Sequence, residues 1–215
     1  MIELSNSRFL HVPKTGGVWV LNAIKAAGLD FQRFVSDDAV QTQHIPREIA
    51  RQNSAEKFTF AFVRHPLGWW KSYWQYKMGV DWHLNTPNHN GIDRQCMSSN
   101  FHVFIENVLA KMPGHCGELF DRFVGPPDDP IEFIGKFENL VDDLAYALHL
   151  AGEQFRPELL RETFPANVSD KARFPAEYSP ALAKSLEDAE SYVLERFGYC
   201  RNTAAETFPD SFSRH

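Results

Sequence analysis

The segment "FLHVPKTGGVWVLNAIKAAG", residues 9–28, decides the fold because it joins an apolar run to a helical pattern through a lysine and two glycines. The run "RFLHV" at 8–12 predicts a short strand. The apolar residues of "GVWVLNAIKAAG" recur near helical spacing, and Gly28 is a typical C-terminal stop. The sequence therefore predicts a strand, a tight turn and a helix.

The alternation of strand and helix continues along the chain. Further strands are predicted at 31–35, 58–63 and 130–137, and helices at 46–53, 67–77, 99–112, 138–152 and 179–199. The last helix has Ser179 as its N-cap and Gly198 as its stop. Residues 79–97 are rich in Gly, Asn and Pro and predict an irregular surface excursion. The pattern predicts one α/β domain over 1–215, with a mostly parallel central sheet flanked by helices.

Composition limits the partners of this domain. The 215 residues carry a net charge of -6, which argues against broad affinity for nucleic acid or an anionic membrane. No window holds the ~18 apolar residues of a membrane span, and "MIELSNSRF" lacks the build of a signal peptide, so we expect a cytoplasmic protein. Cys96, Cys116 and Cys200 are expected to be free thiols, with a Cys96–Cys116 bridge as the alternative.

The turn at 13–17 has the chemistry of an anion cradle. A strand that enters a helix through glycines presents unpaired backbone N–H groups at the positive end of the helix dipole. Gly16 and Gly17 allow close approach of an oxyanion, and Lys14 adds a cation. The nucleoside triphosphate P-loop does not fit, because its lysine follows the glycines and precedes a magnesium-binding hydroxyl. A plain turn with a solvated Lys14 remains the alternative.

A second strand-to-helix segment, "FAFVRHPLGWWKSYW" at 60–74, offers another anion site. Arg64 leaves the strand end, and Ser72 lies about two turns into the helix. An Arg fork and a Ser hydroxyl suit the same phosphate. The alternatives are a structural salt bridge for Arg64 and a helix-surface position for Ser72.

Together these segments resemble a known family. "HVPKTGG", "FVRHPLGWWKSY" and the downstream "IGKFENLVDDL" are similar to three ordered signatures of sulfotransferases that use 3'-phosphoadenosine 5'-phosphosulfate (PAPS). "NVSDKARFPAEYSPALAKSLEDAESYVLERFGY" resembles the C-terminal segment of Golgi-type carbohydrate sulfotransferases and their bacterial relatives. The resemblance spans most of the chain and implies a P-loop-NTPase-like sulfotransferase fold.

The resemblance also implies roles for particular residues. The 5'-phosphosulfate would be held by Lys14, Thr15, Gly16, Gly17 and Val18. Arg64 and Ser72 would bind the 3'-phosphate that the product PAP retains, and Lys171 and Arg173 would reach the donor. The family usually has Thr or Ser where this chain has Val18, so one side-chain hydrogen bond is missing.

Sulfuryl transfer to a hydroxyl needs charge neutralisation and a general base, and this logic requires no metal. Lys14 is the expected group to neutralise the leaving oxygen. His44, in a polar segment between the two phosphate motifs, is the expected base, since relatives often carry a histidine there. His11 and His65 have structural explanations as a strand residue and a signature residue.

The acceptor is the least constrained partner. We expect a hydroxyl of a carbohydrate or small metabolite, with the oligomeric state open. Trp82, His83 and His89 lie in the excursion, where contact with substrate competes with simple solvation. Core packing is expected for most of the aromatic run, which comprises Trp69, Trp70, Tyr73 and Trp74. The alternatives to an enzyme of this class are a catalytically silent PAPS- or PAP-binding module and a P-loop kinase, which would need a magnesium site.

Overall fold

Five short strands form one mixed sheet. The structure, a computed structural model, describes residues 1–34, 44–52, 57–80, 82, 91–164 and 172–201. The strands are β1 (Ile2–Glu3), β2 (Ser7–Leu10), β3 (Gln32–Arg33), β4 (Phe58–Val63) and β5 (Phe133–Lys136). Their order across the sheet is β3-β1-β2-β4-β5.

The sheet is mixed rather than mostly parallel, which corrects that part of the expectation. β2 pairs in parallel with β4, and β4 with β5, but β1 is antiparallel to both β2 and β3. For β1 and β2 the reason is a tight hairpin in which the Leu4 N–H donates to the Ser7 carbonyl at 2.9 Å. Strands joined by so short a connection must run antiparallel, and a two-residue strand has no alternation to reveal it in sequence. The α/β class is confirmed.

Ten α-helices accompany the sheet among the described residues. They are α1 (Gly17–Ala26), α2 (Arg47–Gln52), α3 (Pro66–Gly79), α4 (Gly91–Cys96), α5 (Phe101–Lys111), α6 (His115–Val124), α7 (Leu140–Leu150), α8 (Pro157–Glu162), α9 (Pro180–Ala189) and α10 (Ser191–Phe197). α6 and α8 were not predicted, and α4 lies inside the segment expected to be irregular. The hydroxyl of Ser179 accepts from the Leu182 N–H at 3.3 Å, which confirms the predicted cap of α9.

The predicted long helix at 179–199 is wrong because it breaks at Glu190. This residue is 1% exposed, and its Oε1 accepts from the Trp70 indole at 3.3 Å and from the Cys116 N–H at 3.1 Å. A carboxyl group buried this deeply needs such partners. The turn at φ −105° and ψ 20° coincides with the residue that makes these tertiary bonds.

The chain divides into two units. The first comprises Met1–Arg64 and Leu119–Asn167, and the second His65–Glu118 and Val168–Phe208. In the first unit α1, α7 and α8 cover one face of the sheet. That core contains Phe9, Phe60 and Phe62 from the strands, packed with residues such as Trp19 and Leu144. The packing fixes the helix that begins at the lysine and glycine turn.

The second unit is built on an aromatic core around α3 and α5. Trp69, Trp70, Tyr73 and Trp74 are all buried, which confirms core packing for the aromatic run. Trp82 is also core rather than a substrate-facing loop residue: it is 1% exposed and its ring lies 5.6 Å from that of Phe104. The excursion residues His83 and His89 lie outside the described residues. All three cysteines are free thiols.

Candidate functional site

Three basic residues in the first unit lie at the end of the sheet where its parallel strands terminate. β2 ends at Leu10, shortly before Lys14, β4 ends just before Arg64, and β5 ends at Lys136 itself. Because β2, β4 and β5 are parallel, their carboxyl ends share one edge. That edge is where open α/β sheets bind ligands, and its basic residues favour an anion.

The turn between β2 and α1 has a constrained backbone. Lys14 has φ 63°, the left-handed region that a residue with a side chain occupies at a cost of about 1–3 kcal/mol. Gly16 has φ 83° and is the N-cap of α1, where no side chain caps the helix. The first turn of α1 contains no acidic residue. No carboxylate in this turn therefore competes with an external anion for the positive end of the helix.

Both glycines are required by close packing. A Cβ at Gly17 would overlap the imidazole ring of His11, and a Cβ at Gly16 would lie 2.6 Å from Cδ2 of Leu140. The buried Thr15 turns its hydroxyl inward, donating to the Val12 carbonyl at 2.9 Å. Thr15 is thus available to a ligand through its backbone rather than its side chain.

Arg64 supports the turn directly. Its Nη1 donates to the Lys14 carbonyl at 3.2 Å, and its Cζ lies 3.8 Å from the centroid of the Phe137 ring. The hydrogen bond fixes the peptide that follows the left-handed residue, and the cation–π contact with Phe137 helps to position the guanidinium. This contact places two cationic residues in one small region of the first unit.

His44 contacts His11, whose ring packs against Gly17 of the turn. The His44 Nδ1 donates to the backbone carbonyl of His11 at 2.8 Å, and the two imidazole centroids are 4.5 Å apart. A carbonyl oxygen only accepts, so Nδ1 carries the hydrogen and the neutral ring keeps its lone pair on Nε2. His44 therefore has the tautomer that a general base requires.

Burial, supported by the nearby positive charge, keeps both imidazoles neutral. Burial lowers the pKa of His44, and the Lys14 charge lowers it further, while the hydrogen bond to His11 opposes this shift. Burial, with help from His44 and Lys14, lowers the pKa of His11 to about 3. At neutral pH His44 is therefore able to accept a proton. His11 is uncharged, and its ring contacts both His44 and Gly17.

The predicted site residues divide between the two units. Seven of them lie in the first unit: Lys14, Thr15, Gly16, Gly17, Val18, His44 and Arg64. The first five are consecutive in the turn and the start of α1. Arg64 contacts the Lys14 carbonyl, and His44 contacts the His11 carbonyl. Val18 is half-buried in the first turn of α1. In the second unit Ser72 is half-buried on α3, and Arg173 is exposed with its Cζ 5.0 Å from the Phe174 ring centroid. Lys171 lies outside the described residues.

Besides Lys136 at the end of β5, two further residues of the site were missed as functional residues. His11 holds His44 by its carbonyl and fills the space beside Gly17. Phe137 supports Arg64. The position of Phe137 just after β5, at the same sheet edge as the turn, could have indicated its role. Nothing in the sequence indicates that the His11 carbonyl accepts a hydrogen bond from His44.

Neither a metal cluster nor a membrane helix is evident in the described part of the chain. No group of three or more His, Cys, Asp or Glu residues there could hold a metal ion. Among the same residues, no helix is long and apolar enough to cross a bilayer.

The chain matches no protein-family model, no curated protein and no solved structure.

Proposed function

We propose that this protein is a sulfotransferase that moves a sulfuryl group from PAPS to a hydroxyl acceptor, and that its fold is of the P-loop-like sulfotransferase type. One observation carries the proposal: a lysine and glycine anion turn lies beside a histidine whose tautomer suits a general base. A phosphate cradle alone suits many nucleotides. A cradle with a neutral base suits transfer from an anionic donor to a hydroxyl.

The residues of the turn fit the 5' end of the donor. Its sulfate and phosphate oxygens need N–H donors and a cation, which the start of α1 and Lys14 supply. Position 17 must be glycine here because the His11 ring occupies the space of a Cβ. Lys14, Thr15, Gly16, Gly17 and Val18 would hold this end, mainly through backbone amides.

The 3'-phosphate is assigned to Arg64 and Ser72, and further donor contacts to Lys171 and Arg173. The support for these four is the motif resemblance. For Arg64 there is also its hydrogen bond to the Lys14 carbonyl, which places the guanidinium beside the turn. PAP would be the product that remains on these residues after transfer.

The proposed reaction uses one proton acceptor and one cation of the chain. Nε2 of His44 takes the proton of the acceptor hydroxyl as its oxygen forms a bond to sulfur. The bond between sulfur and the bridging phosphate oxygen breaks, and the Lys14 ammonium neutralises the charge on that oxygen. The acceptor would be a carbohydrate or small metabolite.

Nucleotide preference tests the donor half of this proposal. Calorimetric titration should give PAP a Kd at least about tenfold lower than that of AMP, because the 3'-phosphate adds charge-assisted hydrogen bonds. Removing the Arg64 guanidinium with Arg64→Met should erase most of that preference. A matched control is Arg161→Met, which removes an exposed arginine paired with Asp142 in the same unit. Tight binding of magnesium ATP in place of PAP would instead indicate a kinase.

A further inference from the structure

A small cavity lies on the other face of the sheet in the first unit. Its volume is about 30 Å³, and its lining includes Arg8 and Thr59 from the strands and Arg47 and Arg51 from α2. Arg8 and Thr59 are cross-strand partners near the beginning of β2 and β4, at the opposite end of these strands from the Lys14 turn. The cavity is therefore separate from the proposed donor site.

Arg47 is the main cationic group of this cavity. The residue is 6% exposed, and its Nη2 lies 2.7 Å from Oδ2 of Asp129. Its Nε is buried and makes no hydrogen bond to the described part of the chain. Burying an N–H donor without an acceptor costs about 1–3 kcal/mol, so this position favours an acceptor other than the described residues.

The chain is shaped to admit this guanidinium. Gly125 has φ 82°, and a Cβ there would overlap Nη1 of Arg47. A side chain at 125 would therefore push Arg47 out of its place. The turn after α6 thus keeps the arginine buried beside the cavity despite its unsatisfied Nε.

Positive charge exceeds negative charge in the surrounding network. Arg8 pairs with Glu3 at 3.0 Å, and Lys57 lies 3.7 Å from the same carboxylate. Asp129 is shared by Arg47 and Arg51. The Glu132 carboxylate, which also lines the cavity, accepts from the Thr59 N–H at 2.9 Å. Among the described residues, four cationic side chains therefore meet three carboxylates in this network.

We propose that this cavity binds one small monovalent anion, a halide such as chloride, with Nε of Arg47 as a donor to it. The volume is on the order of that of one water molecule, which excludes nucleotides and sugar phosphates. The surplus cation favours a charged occupant over water. The anion would strengthen the attachment of α2 to the sheet and to the loop that carries Asp129.

Thermal unfolding at constant ionic strength tests this site. Chloride should raise Tm saturably over gluconate, which is too large for the cavity, by about 3–6 °C at ten times its Kd. Arg47→Lys keeps a charge but removes the Nε donor and should abolish the difference. Arg161→Ala, an exposed arginine elsewhere in the unit, should retain it. Equal Tm in the two salts, or the same chloride effect in Arg47→Lys, would overturn the proposal.

A crystallographic measurement decides the case if Arg47→Lys does not fold. Crystals of the unaltered protein grown in bromide should give an anomalous difference peak within about 3.5 Å of Nε of Arg47. Ordinary water density without an anomalous peak would show that water satisfies this donor and would overturn the proposal.

Discussion

Nδ1 of His44 lies 2.8 Å from the backbone carbonyl oxygen of His11, whose ring occupies the space beside Gly17. A single residue of the strand end therefore touches both the proposed base and the proposed phosphate cradle. The hydrogen bond leaves the Nε2 lone pair of His44 to accept a proton. This contact connects the group proposed to deprotonate the acceptor with the turn proposed to bind the donor.

Loss of the base should separate binding from turnover. His44→Ala removes the proton acceptor but no cradle amide, so PAP affinity should stay within about threefold while transfer falls by 10²-fold or more, by roughly the contribution of general base catalysis. Calorimetry and a transfer assay measure the two quantities. His102→Ala removes an exposed histidine of the second unit and should change neither. Unchanged transfer in His44→Ala would remove His44 from the mechanism.

The cradle should not tolerate one extra methyl group. Gly17→Ala places a Cβ on the His11 ring, so the ring or the helix start must move, and PAP affinity should fall at least tenfold. The control is Gly79→Ala, where a Cβ meets nothing within 4 Å. Equal PAP affinity in the two variants would show that the spacing beside His11 is unimportant.

The titration of His44 should report the Lys14 charge. Burial and Lys14 both lower the pKa of His44, so its NMR titration should fall below the ordinary value of 6.5. Lys14→Met removes one of these effects and should raise the His44 pKa, whereas Lys184→Met, which removes an exposed lysine of the second unit, should not. A His44 pKa indifferent to Lys14 would contradict their proximity.

Stability should decline on mild acidification because of His11. The folded protein holds the pKa of His11 at about 3, whereas the unfolded chain has the ordinary value of 6.5. Between these values the unfolded state binds the extra proton, so the free energy of unfolding falls by about 1.4 kcal/mol per pH unit from this group.

Replacing His11 tests this source of acid sensitivity. His11→Phe preserves an aromatic ring and removes the titration, so urea unfolding at pH 7 and pH 5 should show a smaller loss of stability than in the unaltered protein. An equal loss in both proteins would assign the acid sensitivity to other groups. The buried His65, whose pKa is lowered to about 4, is the first of these.

Sequence patterns predicted the helices and strands whose conformation is determined by residues close together in the chain. "FTFAFV" predicted β4 at 58–63, where the structure has it, because five of its six residues are aromatic or β-branched and polar residues flank it. Gly198 marked the end of α10, and its φ of 61° explains why. Structural features that depend on contacts between residues far apart in the chain could not be predicted from these patterns. Glu190 lies in a continuous helical sequence pattern, yet the helix breaks there. The break coincides with hydrogen bonds that Glu190 accepts from Trp70 and Cys116, which are 120 and 74 residues away.

The candidate site divides in the same way. Lys14, Gly16 and Gly17 follow from one strand-to-helix turn, and Arg64 from another. The contact of Arg64 with the Lys14 carbonyl spans 50 residues and depends on β2 and β4 being neighbours. The role of His11 depends on its backbone carbonyl and on the space at Gly17, which residue type does not encode.

The central claim is that this chain transfers a sulfuryl group, and the direct measurement is transfer from PAPS labelled in that group to a panel of carbohydrates, phenols and other small hydroxyl compounds. The account predicts a labelled sulfate ester on at least one acceptor class, formed with stoichiometric PAP and lost in Lys14→Met and His44→Ala. Tight binding of PAP without transfer to any acceptor would contradict it and indicate a nucleotide-binding module.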